Sequence, residues 1–324
     1  MINIKKTINT VSAVLALSML CSCGMTSELK LGTGNAGGVY YAYGTELSTQ
    51  ESGMTVRETA GSRANMRLLG EGFIDLAIVQ SDVLSEAVNG VGDFEGEPVT
   101  SVRAVAGLYD EAFQIIVRAD SEITTLPDLK GKTVSVGEEG SGVAKNAEYL
   151  FLSAGIDSTS VNKAYMSYKD SAEALKNGEV DAFFVVMGTP SEVVNELSES
   201  ADIRILSLDD RTISYMTEIY KGYSAVTIPA GTYSGQAEDI RTVGVKAVLV
   251  ADSRADRTAV HEITQKLFET DGIAVKSPSA EFAVADIPCV FHEGAADYYE
   301  TVGIAVETDP AAGRVGFVFG SQDS

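Results

Sequence analysis

The sequence predicts an α/β fold of two similar lobes with a ligand cleft between them. Three observations carry this reading. A strand, a glycine-rich loop and a helix start occur twice, as Leu29-Lys-Leu-Gly-Thr-Gly-Asn-Ala-Gly-Gly-Val39 and as Thr133-Val-Ser-Val-Gly-Glu-Glu-Gly-Ser-Gly-Val143, so that Gly38 answers to Gly142, 104 residues on. Each copy closes alike, on Gly72-x-x-Asp75 and on Gly178-x-x-Asp181, 106 residues apart, and each then enters an apolar run. Strand and helix signals alternate along the rest of the chain, the pattern of largely parallel sheets covered by helices.

The elements follow in order. Lys5 and Lys6 precede an apolar stretch, Val11 to Leu20, that is too short to cross a bilayer and has the layout of a secretory leader. It runs into Leu20-Cys-Ser-Cys23, which is similar to a bacterial lipobox, so residues 1–23 are expected to be a lipoprotein signal with Cys23 as the acylated residue, and residues 24–28 a tether. Leu29 to Leu31 reads as a strand, Tyr40, Tyr43, Gly44 and Leu47 fall near a helical period, and Thr55 to Glu58 is a second strand. A helix begins near Ser62 as N-cap, and Ile74 to Val79 is a strand covered on both faces. Ser101 to Leu108 gives another strand, and Phe113 to Arg118 crosses to the second lobe. There Ile203 to Ser207 and a helix end the second copy; the chain returns through Tyr223 to Pro229, and Thr242 to Val250 is a strand. The helix from Thr258 to Phe268 and the tail from His292 to Val302 complete the first lobe. The expected division is 29–112 with 226–324 for the first lobe and 113–225 for the second, joined by two crossings that suit hinge closure.

Composition narrows the function. A net charge of −22 argues against nucleic acid, whose binding relies on Lys and Arg to displace counterions. Hydrophobic content of 45% with 22% charged residues describes a folded domain. With Cys21 and Cys23 in the leader, only Cys289 remains, so no internal disulfide is expected. The two histidines, His261 and His292, stand at no metal-ligand spacing, and no metal or other cofactor is expected. No Gly-x-Ser-x-Gly elbow or other catalytic set is evident, which points to binding without chemistry.

Gly32-Thr-Gly-Asn-Ala-Gly37 matches the dinucleotide fingerprint G-x-G-x-x-G, with Glu58 after the next strand. The second copy, Gly137-x-x-Gly140-Ser-Gly142, breaks that pattern, and neither loop carries the Gly-Lys-Ser/Thr of a P-loop. What both loops share is simpler: glycines admit close backbone approach, and a helix start offers free N–H groups with partial positive charge. A carboxylate fits there without an arginine. Either loop alone is equally a turn that packs helix on strand; two in matching places favour binding. The candidate contacts are therefore Thr33, Gly34, Gly37 and Gly38 in one lobe and Gly140, Ser141 and Gly142 in the other. The next strand-to-helix junctions add Ser62, Asn65 and Gln80 as donors to an oxyanion and Asp82 as an acceptor for an ammonium, although Ser62 and Asp82 equally suit helix capping. Thr189 and Pro190 occupy the matching junction of the second lobe, and Tyr40 and Tyr41 are candidate pocket walls, one of which helical spacing can equally assign to the core.

Together these stretches resemble the TAXI family of solute-binding proteins, the receptor subunits of tripartite (TRAP) transporters. The residues that carry the resemblance are the first glycine loop with Tyr40-Tyr41, then Gly61-Ser62-x-x-Asn65-x-x-Leu68-Leu69 and Asp75-Leu-Ala-Ile-Val-Gln80-Ser-Asp82. It continues through Gly140-Ser-Gly142, Asp181-Ala-Phe-Phe, Ile228-Pro-Ala-Gly-Thr-Tyr233 and His292-Glu-Gly-Ala295, in order along the chain. Departures are Arg63, which is expected to point to solvent, Glu293 and Val143. The resemblance implies a type II periplasmic-binding-protein fold, a small carboxylate ligand such as glutamate, glutamine or 2-oxoglutarate, and delivery to an ion-driven membrane permease. It implies an exported, lipid-anchored monomer, on the outer face of the cell membrane or in the periplasm. A sensor that hands its liganded shape to a membrane kinase uses the same fold, and the residues do not separate the two.

Overall fold

The computed structural model describes residues 28–34, 36, 38–50, 53–139, 141–269 and 278–311. The leader with Cys23, and Gly37 and Gly140 of the two glycine loops, lie outside the described residues. The first copy contains β1 (Leu29–Gly32), α1 (Val39–Gln50), β2 (Met54–Arg57), α2 (Ser62–Gly70), β3 (Leu76–Gln80) and α3 (Ser81–Asn89), and is followed by β4 (Val102–Arg118). The second contains β5 (Thr133–Ser135), α4 (Gly142–Ser153), β6 (Asn162–Ala164), α5 (Tyr168–Asn177), β7 (Ala182–Met187) and α6 (Glu192–Ser200). Then come β8 (Ile203–Ile205), α7 (Asp210–Ile219), β9 (Tyr223–Ile228), β10 (Ile240–Asp252), α8 (Arg257–Glu269), α9 (Ala280–Val284) and α10 (Glu293–Thr301).

The sequence repeat is a structural repeat. Strands β2-β1-β3 form one parallel triplet and β6-β5-β7 another in the same order. The recurring Gly-x-x-Asp has one job in both. Gly72 and Gly178 follow a helix with φ of 77° and 76°, a conformation that side chains with a Cβ avoid, and each turns the chain back toward the sheet. Three residues on, Asp75 Oδ2 accepts the Lys30 N–H and Asp181 Oδ2 accepts the Thr133 N–H, both at 2.9 Å. Each carboxylate thus pins the third strand of its triplet to the first.

Two long strands join the triplets. β3 pairs antiparallel with β10, β7 pairs antiparallel with β4, and β4 and β10 pair with each other. The expected strand at 101–108 and the expected crossing at 113–118 are one continuous 17-residue strand. Its side chains change partners midway: Val105 and Leu108 pack with Leu31 and Leu76, whereas Phe113 and Ile115 pack with Val134 and Phe151. β10 changes in the same place, since Val243 and Val245 join the second half's core and Ala247 and Leu249 the first's. Tyr223, Ile228, Tyr233 and Ile240 also pack in the second half. Residues 223–245 therefore sit with the second half, and the second crossing falls at Gly244–Lys246, not at residue 226. The result is an α/β, two-lobed, periplasmic-binding-protein-like fold whose lobes meet at two adjacent antiparallel segments. The residues at that meeting point include Asp110, Glu111 and Lys246, polar side chains between two apolar cores.

Candidate ligand cleft

The end of β3 is where the lobes come together. Gln80, its last residue, donates from Nε2 to Glu111 Oε2 at 2.9 Å, and its backbone N–H donates to Ser62 Oγ at 3.0 Å. Its Oε1 faces the start of α4 so closely that a Cβ on Gly142 would lie 2.8 Å from it. One side chain of the first lobe therefore touches the glycine helix start of the second. Tyr40, in the first turn of α1, donates to the same Glu111 Oε2 at 3.2 Å and is hydrogen-bonded to Ser62. Ser62 is available for this because the N-cap of α2 is Gly61, not Ser62.

Glu111, which is not among the sequence candidates, ties Gln80 and Tyr40 together through one carboxylate oxygen. It is 5% exposed, and burial pushes its carboxyl up to about 7, against the hydrogen bonds from Gln80 and Tyr40 that favour the charged form. Asp82 adds to the rise by repulsion. Beside it on β4, Tyr109 lies between the Tyr43 ring, 6.3 Å away, and Gly188 at the end of β7. Burial also pushes the Tyr109 phenol well above its ordinary value, and its hydroxyl has no hydrogen-bond partner among the described residues. Glu111 lies inside a strand, away from the strand-to-helix junctions where ligand contacts were expected. The visible signal was Asp110-Glu111, two acids inside an otherwise apolar run from Ala104 to Phe113.

The other candidates divide. Tyr40, Ser62, Gln80 and Gly142 come together beside Glu111, and Gly34 lies against Tyr40. Ser141 is the N-cap of α4, its hydroxyl accepting the Ala144 N–H at 3.2 Å. Thr33 and Asn65 are fully buried and serve as scaffold. Asn65 Nδ2 donates to the Thr33 and Ile78 carbonyls (2.6 and 2.9 Å), and its Oδ1 accepts from Thr59 Oγ1 at 2.7 Å. Thr33 Oγ1 donates to the Arg57 carbonyl. Both amide ends of Asn65 are thus consumed in tying β1, β3 and the loop after β2 together, which leaves no donor for a ligand. Thr189 and Pro190 are exposed on the rim, and Tyr41 is partly exposed on α1. Arg63 does not run free into solvent, because its Nε lies 2.8 Å from Asp93.

Asp82 has become an interlobe contact. Its Oδ2 accepts from the Tyr223 hydroxyl of β9 at 2.9 Å and from the Asn146 amide of α4 at 3.0 Å. Next to it Ser81 Oγ donates to the Gly222 carbonyl at 2.6 Å and accepts the Lys246 N–H at 2.9 Å. Further out, Lys145 of α4 reaches Glu86 Oε1 of α3 at 2.6 Å, and Tyr149 donates to the same oxygen at 3.0 Å. This pair is shielded, at 16% and 15% side-chain exposure, so losing one partner would leave the other charge poorly solvated and unpaired. Lys145→Met is expected to leave Glu86 without its cation and to loosen the closed arrangement. The radius of gyration of the unliganded variant, measured by small-angle scattering, should exceed that of the parent; an unchanged value would remove the pair from any role in closure.

Electrostatically the cleft offers an anion the backbone N–H groups of helix starts and, among the described residues, no guanidinium. The first turns of α1, α2 and α4 carry no acidic residue, whereas α3 begins with Asp82. Among the described residues no group of three or more His, Cys, Asp or Glu could hold a metal ion, and no helix is long and apolar enough to cross a membrane. His292 serves as the N-cap of α10, its Nδ1 accepting the Gly294 N–H.

Among solved structures the chain is similar to the periplasmic aliphatic sulphonate binding protein SsuA from Escherichia coli, at 16% identity over 73% of this chain and 72% of that one, with a TM-score of 0.45. It is also similar to the arginine-, lysine-, histidine-binding protein ArtJ from Geobacillus stearothermophilus, at 13% identity over 78% of this chain and 98% of that one, with a TM-score of 0.46. A putative L-cystine ABC transporter protein from Listeria monocytogenes matches at 16% identity over 76% and 92%, with a TM-score of 0.44. The family model that matches, described as NMT1-like family, spans residues 31–303, both glycine loops and both long strands included. The chain belongs to the NMT1-like family.

Proposed function

We propose that the chain is the extracytoplasmic solute receptor of a TRAP-type (TAXI) secondary transporter. It captures a small carboxylate such as glutamate, glutamine or 2-oxoglutarate, performs no chemistry on it, and hands it to a membrane permease. The observation that carries this reading is the convergence of two glycine helix starts, one per lobe, on a single buried polar cluster around Gln80. A ligand carboxylate held by the starts of α1 and α4 contacts both lobes at once, so it binds the closed arrangement better than the open one and shifts the population accordingly. The moving bodies are the residues before and after the two crossings at 110–112 and 244–246, and the membrane is reached through the lipid on Cys23.

A thermal-shift screen of acidic amino acids, their amides and short dicarboxylates tests the reading. Ligand at one hundred times Kd should stabilise the protein by about 2.7 kcal/mol. Silence across all three groups would overturn the ligand class. The site within the cleft is tested by Gly142→Val. The added side chain would collide with Gln80, which Glu111 holds in place, and keep the lobes apart. Affinity is expected to fall at least tenfold in titration calorimetry while the unliganded protein keeps its melting temperature; unchanged affinity would move the site elsewhere.

A further inference from the structure

We propose that Glu111 Oε1 and the Tyr109 hydroxyl form a subsite for the ligand's ammonium group, so that the ligand is an α-amino acid and not its oxo-acid or dicarboxylate counterpart. The inference rests on the cleft being the solute site and narrows its ligand class. Three observations lead to it. Both hydrogen bonds to the Glu111 carboxylate from described residues, from Gln80 and Tyr40, arrive at Oε2, and none among them arrives at Oε1. The Tyr109 hydroxyl, which interacts electrostatically with Glu111, is buried and makes no hydrogen bond among the described residues, although an unpaired buried polar group is costly. The basic side chains around the cleft are engaged elsewhere: Lys145 with Glu86, Arg63 with Asp93, and Lys246 with the Phe282 and Ala285 carbonyls.

Glu111 is therefore a buried carboxylate whose titratable neighbours carry no positive charge. They are Tyr40 on α1, Asp82 on α3, Tyr109 on its own strand and Tyr168 on α5, all phenols or acids. Asp110 and Lys246 interact with each other instead. A buried charge needs a partner, and a ligand ammonium supplies one, with three donors for Oε1 and the Tyr109 oxygen. The carboxylate of the same amino acid then faces the N–H groups of the helix starts. An oxo acid puts a carbonyl oxygen where the ammonium would be, against a carboxylate with no donor to offer.

Titration calorimetry at pH 7 decides this, with the amino acids and their deaminated counterparts as probes, in two buffers of different ionisation enthalpy. An ammonium against Glu111 requires its ionised form, so amino acids should bind with proton release and at least one hundredfold more tightly than the deaminated compounds. A carboxylate or carbonyl seated there would favour protonated Glu111 and give proton uptake. Glu111→Gln should weaken amino acids about one hundredfold, and Tyr109→Phe, which keeps the ring packing, about tenfold. Equal affinity for deaminated compounds, proton uptake, or unchanged binding in Glu111→Gln would overturn the subsite while leaving the receptor reading in place. Silence of the whole panel would overturn both.

Discussion

Glu111→Gln is expected to stabilise the unliganded protein at pH 8 by about 3 kcal/mol and at pH 5 by less than about 1 kcal/mol. The sign follows from linkage. The carboxyl titrates near 4.5 in the unfolded chain and is pushed up to about 7 in the fold. Below 4.5 it is protonated in both states and burial costs nothing in ionisation. Between the two values the unfolded chain ionises first, so stability falls as pH rises, and the loss levels off above 7. A glutamine keeps the size of the side chain and the acceptor for Gln80 and Tyr40 but never ionises. Urea denaturation of parent and variant at the two pH values measures the difference; an equal shift at both would mean that Glu111 titrates as an ordinary surface acid. A gain in stability at pH 8 coupled to a loss of affinity is the signature of a residue kept for binding at the expense of the fold.

Asn65→Ala should have the opposite character. The amide makes two buried hydrogen bonds, at 2.6 and 2.9 Å, and a half-buried one at 2.7 Å, that join the ends of β1 and β3 to the loop after β2. Its removal takes the side-chain donor from the Ile78 and Thr33 carbonyls, of which Thr33 keeps the Thr59 hydroxyl at 2.9 Å, and opens a void against Gly32, where a Cβ would already stand 2.8 Å from Asn65 Oδ1. At about 1 kcal/mol per neutral hydrogen bond, with further cost for the groups left buried and unpaired, the loss is on the order of 3–4 kcal/mol. Denaturant titration would show it as a lower midpoint with little change in slope. A variant that keeps its stability and loses its ligand would return Asn65 to the binding site.

Much of the architecture was legible because it is local. The strands at 29, 55, 74 and 133 and the helices at 62 and 258 follow from apolar periodicity and turn chemistry, and the paired Gly-x-x-Asp motifs turned out to be the same fastener in each half. The length of β4 was hidden: Asp110-Glu111 interrupts its apolar run, which reads as a break between elements, when in fact the strand passes between two cores there. The return of the chain was misplaced for a similar reason, since β9 is amphipathic and nothing local tells which core it faces. In the cleft, residue type was a fair guide to position but not to role. Asn65 has the donors of a binding residue and spends them on the backbone, and Asp82 accepts from Tyr223 and Asn146. Glu111 depends on contacts from residues 31 and 71 positions away, a kind of proximity that no single stretch of sequence displays.

The arrangement of the two long strands also sets an order of manufacture. In the first lobe β3 and β4 do not pair with each other; both pair with β10, which fills the gap between them. The lobe whose strands emerge first therefore cannot close its sheet until residue 252 has been made, whereas the strands of the second lobe, from the far half of β4 to the near half of β10, are all available by residue 245. The amino-terminal half is the last to be finished, and its unpaired β3 and β4 edges must stay apart from other chains until then.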